Sequence, residues 1–228
     1  MGKIIGLGGG KFDNGEMQNA AEYIFSLAGK ANPVFTFLPT AAFDNCDEND
    51  ATVTVFKKLG CDCKILKLTD KSLTRGEIEA IILGSDIIYA DGGNLEFLMK
   101  TFRETGADEA LKKAYDKGII LSGFSSGMMC WFAEGYDDCA PGGEFMWIDC
   151  IGILPYAACP HFEGGNWGSF ADAVKGRRYS AFAMENGAAL VYLDGEYSVI
   201  CGNEGGRVYF FDKDKGHEKS IFGGEEQR

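Results

Sequence analysis

Residues 118–130 read GIILSGFSSGMMC, and this segment is the most informative one about the fold. The apolar run at 119–122 has the length of a buried strand, and it leads into the glycine- and serine-rich turn GFSSG at 123–127. Residues 128–133 follow as an apolar segment that we predict to be a helix. A strand, a tight turn and a helix in this order are typical of an α/β protein that presents a side chain at the carboxyl end of a strand.

The turn fits the pattern Gly-x-Ser-x-Gly, with Ser125 between Gly123 and Gly127. A nucleophilic serine on such a turn has a strained backbone, so the residues two positions away must be small. The N-terminus of the following helix directs amide groups at the site, where they stabilise an oxyanion. Ser125 is therefore our candidate nucleophile, and the alternative is a glycine- and serine-rich loop without chemistry.

A serine nucleophile needs a base, and the chain has only two histidines. His161 follows an apolar stretch in the segment CPHFE, whereas His217 lies in a charged tail and is expected to be solvated. We predict that His161 is the general base for Ser125. The alternative is a partly buried histidine with a structural role only.

Upstream of the serine turn, short apolar runs alternate with amphipathic stretches. Predicted strands cover residues 4–7, 34–38, 63–68, 87–90 and 119–122, and predicted helices cover 16–28, 51–59, 77–83, 95–102 and 108–117. This alternation predicts an α/β fold in which a mostly parallel sheet is flanked by helices as a three-layer sandwich. The glycine-rich segments 8–10, 92–94 and 123–127 all follow strands, so we expect them to meet at the carboxyl edge of the sheet.

The C-terminal third has a different pattern. Residues 188–193, 197–201 and 207–211 read as short strands joined by glycine turns, and we predict an antiparallel extension of the same domain. The sequence thus indicates a single domain over 1–228, with a polar tail that frays from about residue 212.

Composition limits the possible partners. The formal net charge is −12, which argues against nucleic acid, and no segment approaches the roughly 20 apolar residues that span a bilayer. The N-terminus lacks the features of a signal peptide, so we expect a cytoplasmic protein whose eight cysteines are reduced. No metal and no cofactor are expected, because Cys61 and Cys63 lack zinc-site spacing and the glycines at 8–10 do not form a dinucleotide motif.

The segment DGGN at 91–94 ends the predicted strand that precedes the serine strand. Paired glycines leave backbone N–H groups accessible, and we expect the N–H groups of Gly93 and Ser126 to form the oxyanion hole. For Asn94 the residues alone indicate a helix N-cap, a role compatible with one in the site.

Together, the segments 92–94, 123–127 and 160–162 resemble the dipeptidase E and cyanophycinase family of serine peptidases in their order and separations. The resemblance extends from residue 4 to about 211. It implies a fold similar to that of class I glutamine amidotransferases, with Ser125 as nucleophile, His161 as base and Asn94 as a substrate-holding residue.

The resemblance also implies an acidic third catalytic residue near 183–187, where this chain reads AMENG. The best register places Asn186 at the position of the acid, with Glu185 one residue earlier. An asparagine can orient a histidine but stabilises imidazolium less than a carboxylate does, so Glu185 is slightly favoured. If neither residue serves, Asp138 and Asp149 are the next candidates.

Aspartyl dipeptidases of the resembled family carry an arginine shortly after the histidine, and residues 163–170 contain none. Arg177 and Arg178 come later and read as an exposed pair, while Trp167 and Phe170 either line an apolar subsite or belong to the core. The leading expectation is a serine dipeptidase or exopeptidase with a small peptide as substrate. An esterase or amidase, or a non-catalytic binding protein, stays open, as does the oligomeric state, monomer or homodimer.

Overall fold

The computed structural model describes residues 2–10, 12, 14–162, 165–203, 205–214 and 219–222. The strands in these ranges are β1 (Lys3–Leu7), β2 (Val34–Leu38), β3 (Asp62–Ile65), β4 (Ile87–Ala90), β5 (Ile120–Phe124), β6 (Phe132–Asp137), β7 (Met146–Asp149), β8 (Leu154–Cys159), β9 (Ala181–Met184), β10 (Ala188–Leu193), β11 (Glu196–Cys201), β12 (Val208–Phe211) and β13 (Lys219–Phe222). The helices are α1 (Gln18–Leu27), α2 (Ala51–Leu59), α3 (Arg75–Leu83), α4 (Leu95–Thr105), α5 (Ala107–Asp116), α6 (Ser126–Met129) and α7 (Phe170–Ala173).

The described strands form two sheets. The first sheet has the order β11-β10-β1-β5-β4-β2-β3, in which β1 to β5 run parallel and β10 joins β1 antiparallel. The second sheet has the order β13-β12-β9-β8-β6-β7. The predicted parallel sheet with an antiparallel extension is confirmed, and β5 lies at its centre between β1 and β4.

The sequence pattern did not predict the second sheet, except for its strand β12, which corresponds to the predicted strand at 207–211. Residues 128–133 were expected to be helical, but α6 ends at Met129 and β6 begins at Phe132. A continuously apolar run has no period that distinguishes a buried helix from a buried strand. The tail was expected to fray from about residue 212, and this is wrong for β13, which pairs antiparallel with β12.

Local sequence signals explain where several helices begin. The side chain of Asp50 accepts hydrogen bonds from the first turn of α2, and Thr74 with Glu77 forms a capping box on α3. Asn94 caps α4 through its side-chain oxygen, which accepts from the N–H of Phe97 at 2.7 Å. Such caps fix the points at which the chain leaves each strand end, and they therefore fix the loops that surround the serine turn.

Both faces of the first sheet are covered. One face packs on α1 and α2 through a cluster that includes Phe35, Phe37 and Tyr89. The other face shares its core with α3 to α5 and with one face of the second sheet. The remaining face of the second sheet packs under α7 around Phe170 and Tyr209. The carboxyl edge of the parallel strands is thus left as the open edge where loops converge.

All eight cysteines are free thiols, as expected from the sequence. Cys130 and Cys159 are fully buried, and burial raises the pKa of both thiols well above its ordinary value. No helix among the described residues is long and apolar enough to cross a bilayer. The same residues contain no group of three potential side-chain ligands that could hold a metal ion.

Candidate active site

Ser125 lies at the end of β5 in a conformation that few non-glycine residues adopt, with φ 53° and ψ −123°. Its flanking glycines are required by space. A Cβ at Gly123 would lie 2.6 Å from the carbonyl oxygen of Ala90, and one at Gly127 would lie 2.6 Å from that of Asp91. The turn therefore packs tightly against the end of β4 and holds the Ser125 side chain out at the edge of the sheet.

His161 follows β8 and also has a positive φ, 53°. Its Nε2 lies 2.9 Å from Ser125 Oγ, which is hydrogen-bond distance for proton transfer from the hydroxyl. The ring of Trp167 lies beside the imidazole, with 5.6 Å between ring centroids. The structure thus brings together the two residues that the sequence singled out as nucleophile and base. His217 lies outside the described residues.

Asn186, not Glu185, contacts the histidine. Asn186 Oδ1 lies 2.7 Å from His161 Nδ1, whereas a carboxylate oxygen of Glu185 accepts a hydrogen bond from the Tyr209 hydroxyl at 2.6 Å. The slight preference for Glu185 is therefore wrong. Adjacent residues at the end of an extended segment point to opposite sides, and the Glu185 side chain turns toward β12.

Neither of the reserve candidates replaces Asn186. Asp138 is exposed, and the Asp149 backbone carbonyl accepts from Arg103. The aspartate that does enter the site region is the preceding residue, Asp137, which is 2% exposed. Sequence patterns do not single out Asp137, because only β6, a strand that they did not predict, places its side chain next to the serine turn.

The end of β1 holds all three parts of the constellation in place. The carbonyl oxygens of residues 7, 8 and 9 accept hydrogen bonds, in that order, from the backbone N–H groups of Ser125, His161 and Gly187, at 3.1, 3.1 and 3.2 Å. Three successive peptide groups of one strand end thus fix segments that are far apart in sequence. This explains why a glycine-rich stretch follows β1, although that stretch does not form a dinucleotide-binding motif.

Gly9 leaves room for the contact between the histidine and the asparagine. A Cβ at this position would overlap Asn186 Oδ1 and lie 2.6 Å from His161 Nδ1. The φ of Gly9 is not among the positive ones, so the restriction is one of space and not of backbone conformation.

The expected oxyanion donors border the nucleophile. A Cβ at Gly92 would lie 3.2 Å from Ser125 Cβ, so the glycine loop after β4 runs alongside the serine. Within the part of the chain that the structure describes, the N–H groups of Gly93 and Ser126 donate to no protein acceptor. Gly93 is exposed and has a φ of 143°, which favours glycine.

The pKa values of two carboxyl groups near this loop are raised. Burial raises the pKa of Asp91 from 3.8 to about 7, and the negative charge of Asp50 adds to the effect, although the Gly92 N–H opposes it. Burial also raises the pKa of Asp137, although the hydrogen bonds that its carboxyl group accepts lower it in part.

The later arginines do not enter the site. Arg177 forms an ion pair with Glu134 at 2.9 Å, and its guanidinium lies over the Trp147 ring at 4.5 Å. The Arg178 guanidinium lies over the ring of Tyr179 at 5.2 Å. Both are therefore explained by contacts within the second sheet and its flanking loops.

The chain is similar to known peptidases. The model of peptidase family S51 matches residues 4–203. The uncharacterized peptidase YgaJ of Bacillus subtilis is 28% identical over 215 residues, which cover 92% of this chain and 91% of that protein. The uncharacterized peptidase Lmo0363 of Listeria monocytogenes is 27% identical over 151 residues, covering 62% of this chain and 70% of that protein.

Two solved structures share the fold. A peptidase from an acI-B1 actinobacterium superposes with a TM-score of 0.73 at 17% identity, covering 97% of this chain and 94% of that one. A putative peptidase E protein from Listeria monocytogenes superposes with a TM-score of 0.68 at 17% identity, covering 88% of this chain and 98% of that one. The chain belongs to peptidase family S51, the dipeptidase E family.

Proposed function

We infer that this protein is a serine peptidase that cleaves small peptides, as a dipeptidase or exopeptidase, through an acyl-enzyme on Ser125. One observation carries the proposal: a serine with φ 53° at the end of the central strand lies 2.9 Å from the Nε2 of a histidine whose Nδ1 is held by Asn186. Membership in a peptidase family supports the same reaction class.

In the proposed reaction Ser125 Oγ attacks the scissile carbonyl carbon, and His161 Nε2 takes the hydroxyl proton. A new C–O bond forms, and the carbonyl π electrons move to the oxygen, which the N–H groups of Gly93 and Ser126 stabilise. When the C–N bond breaks, His161 returns the proton to the leaving amine. Water then hydrolyses the ester by the same steps, with His161 again as base.

The substrate need not carry an aspartate. No arginine lies in residues 163–170, and the guanidinium group of Arg177 is committed to Glu134 and Trp147. Trp167 instead presents an aromatic ring beside His161, while Phe170 is fully buried in the core. We therefore expect a preference for peptides with an apolar residue next to the scissile bond over Asp-Xaa dipeptides.

A fluorophosphonate probe and a dipeptide library test the proposal. The native protein should be labelled on Ser125 and should release free amino acids from a subset of dipeptides, and Ser125→Ala should do neither. An esterase or amidase would take up the label and cleave esters or amides but no dipeptide. Absence of labelling in the native protein would refute the nucleophile and favour a non-catalytic binding protein.

A further inference from the structure

A buried chain of hydrogen bonds links the second sheet to the loop beside the nucleophile. Ser126 Oγ lies 2.7 Å from the carbonyl oxygen of Gly93 and 3.2 Å from Asp137 Oδ2. The other carboxyl oxygen of Asp137 accepts from the backbone N–H of Cys139 at 2.9 Å. Ser126 and Asp137 are 1% and 2% exposed, so water does not compete for these bonds.

The protons in this chain of hydrogen bonds can be counted. The Ser126 hydroxyl has one hydrogen, and the Gly93 carbonyl has none to give, so the 2.7 Å contact takes the hydroxyl proton. If the hydroxyl donates to the Gly93 carbonyl alone, the 3.2 Å contact between Ser126 Oγ and Asp137 Oδ2 is a hydrogen bond only when Asp137 carries a proton. With Asp137 neutral, Oδ2–H donates to Ser126 Oγ, which donates to the Gly93 carbonyl, while Oδ1 accepts from Cys139.

Among the described residues, no cation contributes to the pKa shift of Asp137. Besides Ser126 of α6, the polar or titratable groups that act with it come from the loop after β6, from the end of β7 and from β8: Asp138, Cys139, Cys150 and Cys159. These described groups are neutral thiols or acids. Burial, aided by the charge of Asp138, raises the pKa of Asp137 despite its hydrogen bonds.

The chain of hydrogen bonds ends at the Gly93 carbonyl, next to an expected oxyanion donor. Gly93 supplies one expected oxyanion donor, its N–H, while its carbonyl is bound by Ser126, and Ser126 supplies the second donor through its backbone N–H. The bond from the Ser126 side chain therefore connects the residue that carries the second donor to the Gly93–Asn94 peptide, which directly follows the first donor. That peptide also donates the Asn94 N–H to the Ala41 carbonyl at 2.9 Å, so two hydrogen bonds hold it next to the Gly93 N–H.

We propose that Asp137 acts as a neutral hydrogen-bond donor which, through the Ser126 hydroxyl, holds the Gly93–Asn94 peptide, and with it the adjoining Gly93 N–H, in the orientation that forms the oxyanion hole. Asp137 and the Ser126 side chain are thus positioning residues, and they touch no substrate. This inference rests on the proposed function of Ser125, because an oxyanion hole has meaning only for an acyl-transfer site. Preorganised donors act on the transition state, so their loss lowers the rate of the chemical step more than it weakens binding.

Labelling kinetics with a fluorophosphonate probe test the proposal without a known substrate. Ser126→Ala should lower the maximal labelling rate at least about tenfold, with the half-saturating probe concentration nearly unchanged. Ser122→Ala is the matched control, because it removes a buried hydroxyl bonded to the Ile5 carbonyl at 2.8 Å, remote from the oxyanion loop. Equal rates for native protein, Ser126→Ala and Ser122→Ala would overturn the proposal, whereas an unlabelled native protein would refute the proposed function itself.

Asp137→Asn and Asp137→Ala separate a donor role from a packing role. The asparagine amide can still donate to Ser126 Oγ and accept from Cys139, so Asp137→Asn should keep its labelling rate within about threefold of native, while Asp137→Ala should fall with Ser126→Ala. The native rate should decline as pH rises through the Asp137 pKa, and the Asp137→Asn rate should lack this decline. A loss in Asp137→Asn as large as in Asp137→Ala would contradict the neutral donor.

Infrared difference spectra give an independent measure in folded protein. The native protein at pH 7 should show the C=O band of a protonated carboxyl group that disappears in Asp137→Asn. Asp91→Asn is the control that identifies the contribution of the second raised carboxyl group. A native spectrum in which Asp137 contributes only carboxylate bands at pH 7 would overturn the proposal.

Discussion

Asn186 Oδ1 lies 2.7 Å from His161 Nδ1, so an amide and not a carboxylate holds the imidazole of the candidate base. Because an amide oxygen only accepts hydrogen bonds, Nδ1 carries the hydrogen and Nε2 is left to accept the proton of Ser125. The amide fixes the tautomer but adds no negative charge to stabilise the imidazolium that forms during the reaction. The site therefore has the orientation of a catalytic triad without its counter-charge.

Asn186→Ala should lower turnover, or labelling by a fluorophosphonate, by about a hundredfold or more, because the imidazole loses the group that fixes its tautomer. Asn186→Asp should raise turnover above the native value, since a carboxylate in the same place supplies the missing charge. Glu185→Gln is the matched control. It changes the neighbouring side chain, which is bonded to Tyr209, and should alter turnover less than about threefold. A larger loss in Glu185→Gln than in Asn186→Ala would reverse the assignment.

Ser125→Ala should reduce hydrolysis and labelling by about a thousandfold or more while leaving the fold intact, as expected for the loss of a nucleophile. Alanine has the same backbone strain as serine at a φ of 53°, so the free energy of unfolding should change little. Ser126→Ala, its sequence neighbour, should retain measurable labelling because its hydroxyl only positions the loop. Comparable labelling of Ser125→Ala and native protein, measured by mass spectrometry of the modified peptide, would remove Ser125 as nucleophile.

The sequence predicted the first sheet and most of the site because both follow from local signals. β4 and the strand at 188–193 were predicted at their observed bounds, and the turn around Ser125 has the composition that its backbone requires. The second sheet was missed because β6 to β9 are short and lie in stretches without a two-residue or helical period. Asn186 was not separated from Glu185, since which of two adjacent side chains faces His161 depends on the register of β9 with β12.

Gly9→Ala should abolish most activity although its backbone conformation tolerates alanine. The added methyl group would overlap Asn186 Oδ1 and approach His161 Nδ1, so either side chain must leave the 2.7 Å contact. We expect a loss of about a hundredfold, similar to that of Asn186→Ala, and no further loss when both changes are combined. Additive losses in the double variant would show that Gly9 acts elsewhere.

The matched control for Gly9→Ala is Gly76→Ala in α3. A Cβ at Gly76 meets no atom within 4 Å. Alanine in a helix is favoured over glycine by roughly 0.5–1 kcal/mol, so this variant should be slightly more stable and equally active. Urea unfolding with a labelling assay measures both quantities on each variant.

Asp91→Asn should stabilise the protein in a way that depends on pH. Burial raises the pKa of Asp91 from 3.8 to about 7 in the folded protein, so the folded state binds a proton more tightly than the unfolded state does. Between about pH 4 and pH 7 the native free energy of unfolding therefore falls as pH rises, and above pH 7 the contribution of this group is constant. A shift of this size corresponds to at most about 4 kcal/mol.

Asparagine keeps the acceptor for the Gly92 N–H, at 2.9 Å in the native protein, and carries no charge. The stability of Asp91→Asn relative to native should thus increase from pH 4 to pH 7 and then level off, as measured by urea unfolding at each pH. Asp70→Asn is the control: hydrogen bonds from Ser72 lower the pKa of that exposed carboxyl group, so its stability relative to native should stay constant between about pH 4 and pH 7 and change, with the opposite sign, only below about pH 4. A difference between Asp91→Asn and native that does not change with pH would show that Asp91 stays ionised in the folded protein.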